Sequence, residues 1–560
     1  MAAGVLARAQ NRRQLLAKVR AGCGKPASRS QNLSALAEAH RSRLAASAEG
    51  SFLDDRTWKD LDMDDVLASV DRTESTLGRQ ALYQRLRSAP VAEHLDAFEA
   101  LVTRMGTDAP ARERAQLALA RLQDPDGYDL WRLARAGTVE HHAWYAVFPL
   151  LTVATVAVAV AAIHWHALLP WLIALLVLDV GVRLITAQTV NALGSAFWHI
   201  APVVATGEKL AYLRGEDIAP LVGSLPADAA RLRRLKAIAR WLSGDPFMLS
   251  YGYGLLGMVV TAFAQFVYEY LNLILLLDLN GMHFGARDLR VQIQPLLRLA
   301  AAVGDIDAAI SVASWREERS DWTRPRFSPP GSTAVLSNVR HPLVRHAVPN
   351  SIAIEVGRGI LITGSNMSGK STFLRTVGVN AVLAQTIHTC LATGYEAPIF
   401  QVQSCIGRAD DLIAGKSYYM VEVEAVLARV QSSSKAMPHL FLFDELFRGT
   451  NAVERIAAAE AVLRELIGDP GNPKPHAVLA ATHDGELVDL LDDVCYAYHF
   501  ADTIGSEGLV FEYRLEPGAA TTRNAIALLE LQGAPASVVR RALTRAEALT
   551  RLRRLQFEPS

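Results

Sequence analysis

Gly359-Ile-Leu-Ile-Thr363-Gly364-Ser365-Asn366-Met367-Ser368-Gly369-Lys370-Ser371-Thr372 is the stretch on which the reading of this chain turns. Its first five residues are apolar and bounded by glycine, which predicts a short buried strand. Phe373, Leu374, Val377 and Ala381 follow at helical spacing, which predicts a helix with one apolar face. A strand, a glycine-bearing loop ending in Gly-Lys-Ser and a helix form the phosphate-binding P-loop in its required setting. Gly364 and Gly369 permit backbone conformations that turn amide N–H groups inward around an anion. The helix N-terminus adds the positive end of its dipole. Lys370 is expected to reach the β- and γ-phosphates of ATP, and Ser371 to offer its hydroxyl to Mg²⁺. Ser365, Asn366, Met367, Ser368 and Thr372 complete the cradle.

Two further apolar runs lie downstream. Leu440-Phe-Leu-Phe443 ends in Asp444-Glu445, and Ala477-Val-Leu-Ala-Ala481 delivers Thr482-His483. Adjacent acids after a strand are common as loop caps, and a lone histidine is more often structural. Downstream of a P-loop, the same residues fit the chemistry of phosphoryl transfer to water. Asp444 would hold Mg²⁺ through water, Glu445 would orient or deprotonate the attacking water, and His483 would sense the γ-phosphate. Short strands alternating with helices predict a parallel α/β sheet with this chemistry at the strands' C-terminal ends.

The wording of these segments resembles the MutS mismatch-repair family. Thr363 to Thr372 read TGSNMSGKST against the family's TGPNMGGKST. Asn338-Val-Arg-His-Pro-Leu343 and Val348-Pro-Asn350 resemble the entry to its ATPase domain. Ile406-Gly-Arg-Ala-Asp-Asp-Leu412 with Gly415-Lys-Ser-Tyr-Tyr-Met-Val-Glu422 is similar to IGASDDL…GxSTFMVE. Asp444-Glu-Leu-Phe-Arg-Gly-Thr450 is similar to DELGRGT, and Ala481-Thr-His483 to ATH. The resemblance covers most of residues 335–545. It implies a composite site in a homodimer, in which Asn366 lines the pocket of its own protomer and Ser417 contacts the γ-phosphate bound by the other. Phe447 for Gly, Asn451 for Ser, Tyr418-Tyr419 for Thr-Phe and the segment near Thr522–Ile526 depart from the family pattern. Leu61 to Pro90 and Gly304 to Ala309 resemble, more faintly, the start and end of the family's helical core. The residues before 51 leave no room for mismatch-reading and connector domains, so the Phe-x-Glu wedge has no counterpart here.

Away from the P-loop, Lys+Arg and Asp+Glu both number 57, which argues against a surface that grips nucleic acid everywhere but leaves room for a local basic groove. Cys23, Cys390, Cys405 and Cys495 show no metal-ligand spacing and read as buried thiols in a reducing compartment. Residues 1–50 are basic and contain no apolar run of secretory type.

The sharpest break in composition is the run Ala143–Ile163, AWYAVFPLLTVATVAVAVAAI, which has no charge. As a helix it would span about 31 Å, close to a bilayer's hydrocarbon core. After His164-Trp165-His166, a second run extends from Ala167 to Ile185, with Asp179 and Arg183 near its end. Trp144, Tyr145, Trp165 and Trp171 stand near the run ends, as interfacial aromatics do, and Arg132, Arg135 and Arg183 flank the open end. The pair predicts a transmembrane hairpin with the soluble parts cytoplasmic. A helical hairpin buried in a large soluble core is the alternative. A further membrane segment within about 252–278 stays open. Gly252 to Val267 is its more apolar part, while Glu269, Asn272 and Asp278 favour core helix for the rest.

The expected architecture is an α/β P-loop NTPase domain of the ABC/MutS type at 332–545, preceded by an all-α core interrupted by the hairpin. A basic segment occupies 1–50, the core 51–142 and 187–325, the hairpin 143–186 and a tail 546–560, with a linker at Arg324–Ser332. ATP, Mg²⁺, a second copy of the chain and a plasma or inner membrane are the expected partners. Two rivals remain: a soluble ATPase that binds DNA structures in repair or recombination, and a scaffold that binds ATP with little hydrolysis.

Overall fold

The computed structural model describes residues 2–22, 24–25, 33–46, 53–89, 91–122, 130–134, 143–242, 263, 266–268, 270–272, 274–365, 367–406, 418–433, 437–505, 508–520, 526, 529 and 533–557. The chain divides into two units: Met1–Ser51, Val70–Arg85 and Val91–Ser320 form the first; Phe52–Ser69, Leu86–Pro90 and Asp321–Ser560 form the second. Of the third apolar stretch, 252–278, residues 252–262, 264–265, 269 and 273 lie outside the described residues.

The described part of the first unit is helical. Its longest members are α1 (Val147–Ala162), α2 (Leu169–Leu210) and α3 (Leu277–Glu317). Close packing of α3 depends on two glycines. A Cβ on Gly78 would fall 2.2 Å from Asp307 Oδ2, and one on Gly304 would fall 2.8 Å from Ala81 Cβ. With both side chains absent, the helix Thr76–Arg87 lies against α3. The buried Asp307 carboxylate then accepts from the amides of Glu74 and Ser75 at 2.9 and 2.7 Å and from the Ser75 hydroxyl at 2.6 Å. Asp307 thereby fixes the turn into the helix, whose Gly78 amide is capped by the Ser75 hydroxyl at 3.0 Å. Burial pushes the Asp307 carboxyl up to about 7 against the pull of the donors.

The pair α1–α2 is different in kind. It contains two segments, Ala143–Ala162 and His166–Thr186, long and apolar enough to cross a membrane, with only 22% and 6% of their apolar windows buried. Leu150, Val153, Val160, Trp171, Val177 and Leu184 all point outward, as do Trp144 and Trp165, whereas Tyr145 is buried and stacks on Phe148. The second helix does not stop at residue 186 but runs on to Leu210.

The second unit is built on a six-stranded sheet. In chain order its strands are β4 (Gly359–Thr363), β6 (Gln401–Cys405), β7 (His439–Asp444), β10 (Ala477–Ala481), β11 (Cys495–Gly505) and β12 (Gly508–Pro517). Their spatial order is β12-β11-β4-β10-β7-β6, parallel except for the edge strand β12. Strands covered on both faces read as continuous apolar runs. Accordingly β4 and β10 are buried at every residue, and β7 at all but Asp444. Helices α4 (Lys370–Ile387), α5 (Tyr418–Ser432) and α6 (Ala452–Ile467) pack on this sheet. A smaller sheet has the order β1-β5-β2-β3, from Arg326–Phe327, Gly394–Ala397, Ala334–Val339 and Asn350–Ile354, and β8 (Gly468–Asp469) pairs with β9 (Asn472–Pro473) apart from both sheets. β1 lies within the turn-rich stretch expected as a linker; it pairs with β5 instead.

Residues 52–69 and 86–90, which the sequence assigns to the helical core, group with the α/β unit. The physical reason is a buried polar seam. Asp60 accepts from the Ser404 hydroxyl and the Ile406 amide, both at 2.9 Å, on one carboxylate oxygen. Its backbone carbonyl accepts from Arg375 of α4 at 2.7 Å, and Asp54 takes Arg429 of α5 at 3.1 Å. The apolar partner of this seam is Leu61, which packs over Gly378: a Cβ there would lie 2.8 Å from Leu61 and 2.6 Å from Leu442.

Candidate nucleotide site

β4 ends at Thr363 and the chain turns at once into α4. Gly364 and Gly369 take φ of 137° and 107°, a region closed to most side chains, and Met367 follows them at 71° with its side chain exposed. Gly369 is the residue before α4. A Cβ on it would meet the Tyr513 ring at 3.2 Å, so the loop passes directly under this aromatic. Ser368 is buried with its hydroxyl unpartnered. Thr372 is the exposed residue of the first turn, its carbonyl accepting from Thr376.

Lys370 is buried, and its ammonium donates to the carbonyls of Gly364 and Ser365, each at 2.8 Å. The Ser371 hydroxyl donates to Asp444 Oδ2 at 2.6 Å. Parallel pairing of β10 with both β4 and β7 brings three strand ends together. Asp444 pairs with Ala481, and the Thr482 amide donates to Ile362 O at 3.0 Å. Glu445 enters a tight turn at φ 55°, its amide bonded to Ala481 O at 2.9 Å. One carboxylate oxygen of Glu445 lies 2.5 Å from His483 Nε2, and the other is paired with Arg448. His483 Nε2 is also 3.5 Å from Lys370 Nζ. Burial, then the charges of Lys370 and Arg448, lowers the His483 pKa and favours the neutral ring.

Lys370, Ser371, Asp444, Glu445 and His483 therefore converge at one sheet edge. Asn366 and Ser417 lie outside the described residues. Whether Mg²⁺ fits can be asked of the atoms present. Asp444 Oδ1 is buried without a partner, beside the Ser371 hydroxyl. A carboxylate and a hydroxyl are hard oxygen donors, and among the described residues no group of three or more His, Cys, Asp or Glu could form a cage. That set suits a cation that takes one or two protein oxygens and fills its shell with water and phosphate.

Arg448 and Tyr513 were not legible as site residues. Arg448 stands three residues after Glu445, and only the turn at Glu445 and Phe447, both at positive φ, folds it back. Tyr513 comes from the antiparallel edge strand, 144 positions beyond Gly369, and no motif marks it. Asn451 caps α6 by accepting from the Glu454 amide at 3.0 Å, so Asn in place of the family's Ser preserves the cap.

Residues 360–550 match the family model of MutS domain V. The DNA mismatch repair protein MutS of Lactobacillus johnsonii is 32% identical over 283 residues, which is 49% of this chain and 32% of that protein. MutS of Lactobacillus gasseri is 34% identical over 274 residues, 47% of this chain and 30% of its own. MutS of Listeria monocytogenes is 37% identical over 263 residues, 45% and 29% respectively. The aligned region thus spans under a third of each of these relatives' length. One departure from the MutS wording has a visible consequence. Phe447, where the family motif has glycine, sits at φ 60° with its ring buried and its amide bonded to Glu422 at 2.6 Å.

Proposed function

We propose that this chain is a membrane-anchored, MutS-like ATPase that hydrolyses ATP in a homodimer, closing on ATP binding and reopening on hydrolysis. The observation that carries the ATPase reading is the convergence of Lys370, Ser371, Asp444, Glu445 and His483 on one loop mouth. Lys370 is held by two carbonyls that a phosphate oxygen would replace as its partner, so the loop keeps its cation oriented before substrate arrives. Mg²⁺, when bound by Ser371 and Asp444, would neutralise charge on the β- and γ-phosphates. Glu445 is the base for water, and it is restrained by His483 and Arg448 on its two oxygens. Its use as a base requires one of those contacts to open, and a γ-phosphate drawing His483 and Lys370 toward itself provides the means. Asn366 would line the pocket, and Ser417 would complete the partner's site in trans.

The membrane half of the reading rests on α1 and α2, whose apolar side chains face outward over a length matching a bilayer. Soluble proteins rarely expose contiguous apolar patches above a few hundred Å². The rival soluble, DNA-binding form needs those faces covered within the chain, and their low burial weighs against it. The α/β unit would be cytoplasmic, and mismatch preference on DNA is expected to be absent. Fractionation of the native host tests this: the chain should sediment with membranes, resist high-salt washing and leave in detergent. A cysteine at Trp165 should react with an impermeant thiol reagent from outside the cytoplasm, unlike one at Arg135. Recovery of monodisperse protein without detergent refutes the anchor.

A further inference from the structure

The hairpin has a polar interior that ATP chemistry does not use. Asp179 lies in the C-terminal half of the apolar segment His166–Thr186 and is fully buried. Its Oδ2 accepts from Thr155 Oγ1 at 2.9 Å, while its Oδ1 is buried with no partner. One turn earlier on α1, Thr152 Oγ1 accepts from Asn280 Nδ2 at 2.7 Å and stands 3.0 Å from the Leu275 carbonyl. Asn280 Nδ2 also reaches that carbonyl at 2.8 Å, and Asn280 Oδ1 is a second buried acceptor without a partner. Leu276, at φ 45°, breaks the chain just before α3, which is why the Leu275 carbonyl is free to face side chains.

Charge makes the arrangement informative. Among the described residues, α1 offers Asp179 hydroxyls and no titratable group. Arg183, one turn along α2, is paired at 3.0 Å with Asp278 of α3, and the Asp278 amide is held by Asn272. An ionised carboxylate within the bilayer without a counter-ion is costly. A proton on Oδ1 removes the charge and converts an orphan acceptor into a donor.

We propose that Asp179 forms a membrane-embedded proton-binding site, its ligand a proton carried on Oδ1 and its carboxyl held through Oδ2 by Thr155 of α1. Uptake adds H⁺ to the carboxylate; release returns it to water and leaves a charge that this packing does not accommodate. The site thereby links proton occupancy to the fit of α1 and α2 against α3.

The proposal rests on the hairpin lying in the membrane, and its test separates the two. Full-length protein in phosphatidylcholine nanodiscs is examined by infrared difference spectroscopy across pH steps. Wild type should show the carbonyl stretch of a protonated carboxylic acid at neutral pH. Asp179→Asn should lose that band, and Thr155→Val, which keeps the carboxyl but removes the donor to Oδ2, should shift it. An Asp179 that is ionised at neutral pH, or identical spectra for wild type and Asp179→Asn, overturns the site. Should Asp179→Asn not fold, an unshifted band in Thr155→Val overturns it equally. Membrane sedimentation of the same proteins is scored separately: a membrane-bound chain without the band sinks only the proton site, and a soluble chain sinks the anchor on which it rests.

Discussion

Asp60 lies more than 300 positions from the P-loop in sequence, yet its removal should loosen the strand that leads toward Ser417. The carboxylate oxygen that accepts from Ser404 and Ile406 is buried, and both contacts are 2.9 Å. Hydrogen bonds to a charged acceptor contribute roughly 1.5–3 kcal/mol each, and a buried donor left unpaired costs about 1–3 kcal/mol. Asp60→Ala strands both donors and should therefore cost about 2–5 kcal/mol locally. Asp60→Asn can turn its amide oxygen to the same place, keeping both contacts and losing only the charge assistance, for a cost of about 1 kcal/mol. Hydrogen exchange of the segment containing Ile406, followed by mass spectrometry on the whole chain, reads this directly. Exchange from the opened form should be roughly 30-fold faster or more in Asp60→Ala, and about 5-fold faster in Asp60→Asn. Equal protection in wild type and Asp60→Ala would refute the claim that residues 52–69 brace the end of β6.

Three further perturbations follow from the site. Lys370→Ala should abolish ATP binding, whereas Glu445→Gln should bind ATP and lose about 10²–10⁴-fold in turnover, as for other positioned proton-transfer groups; unchanged steady-state hydrolysis in Glu445→Gln removes the assignment. At Phe447 the usual order of substitutions should invert. Alanine loses the buried ring, at roughly 3–5 kcal/mol, and keeps the strained φ, while glycine loses the ring but relieves about 1 kcal/mol or more of strain. Phe447→Gly should therefore melt above Phe447→Ala, and the opposite ranking in thermal denaturation counts against backbone strain there. His483 has a folded pKa below its ordinary 6.5, so its contribution to stability is complete above that value and is lost as pH falls through the lower folded one. Melting temperature should drop between about pH 7 and about pH 5 more steeply in wild type than in His483→Gln. Parallel slopes would mean that folding leaves the His483 pKa unshifted.

What the residues alone determined were the features written locally. An apolar run bounded by glycines, followed by Gly-Lys-Ser and a helical period, has one strand–loop–helix solution, and Asp444, Glu445 and His483 each follow a run too apolar to lie anywhere but in a covered strand. The hairpin was legible for the same reason, since length and absence of charge are properties of the segment itself. Tertiary structure decided everything that depends on which distant surfaces meet. Asp60 reads as one acid among six from residue 54 to residue 65, and only the docking of its helix turns it into the acceptor for β6. Glu445 was legible as the acid proposed to activate water, but its restraint by both His483 and Arg448 depends on a positive-φ turn and on the pairing of β7 with β10. Asp179 looked like a blemish in an apolar span until α1 supplied Thr155. The break at Leu276 leaves the Leu275 carbonyl to accept from Thr152 and Asn280, and neither event leaves a trace in the local pattern of residues.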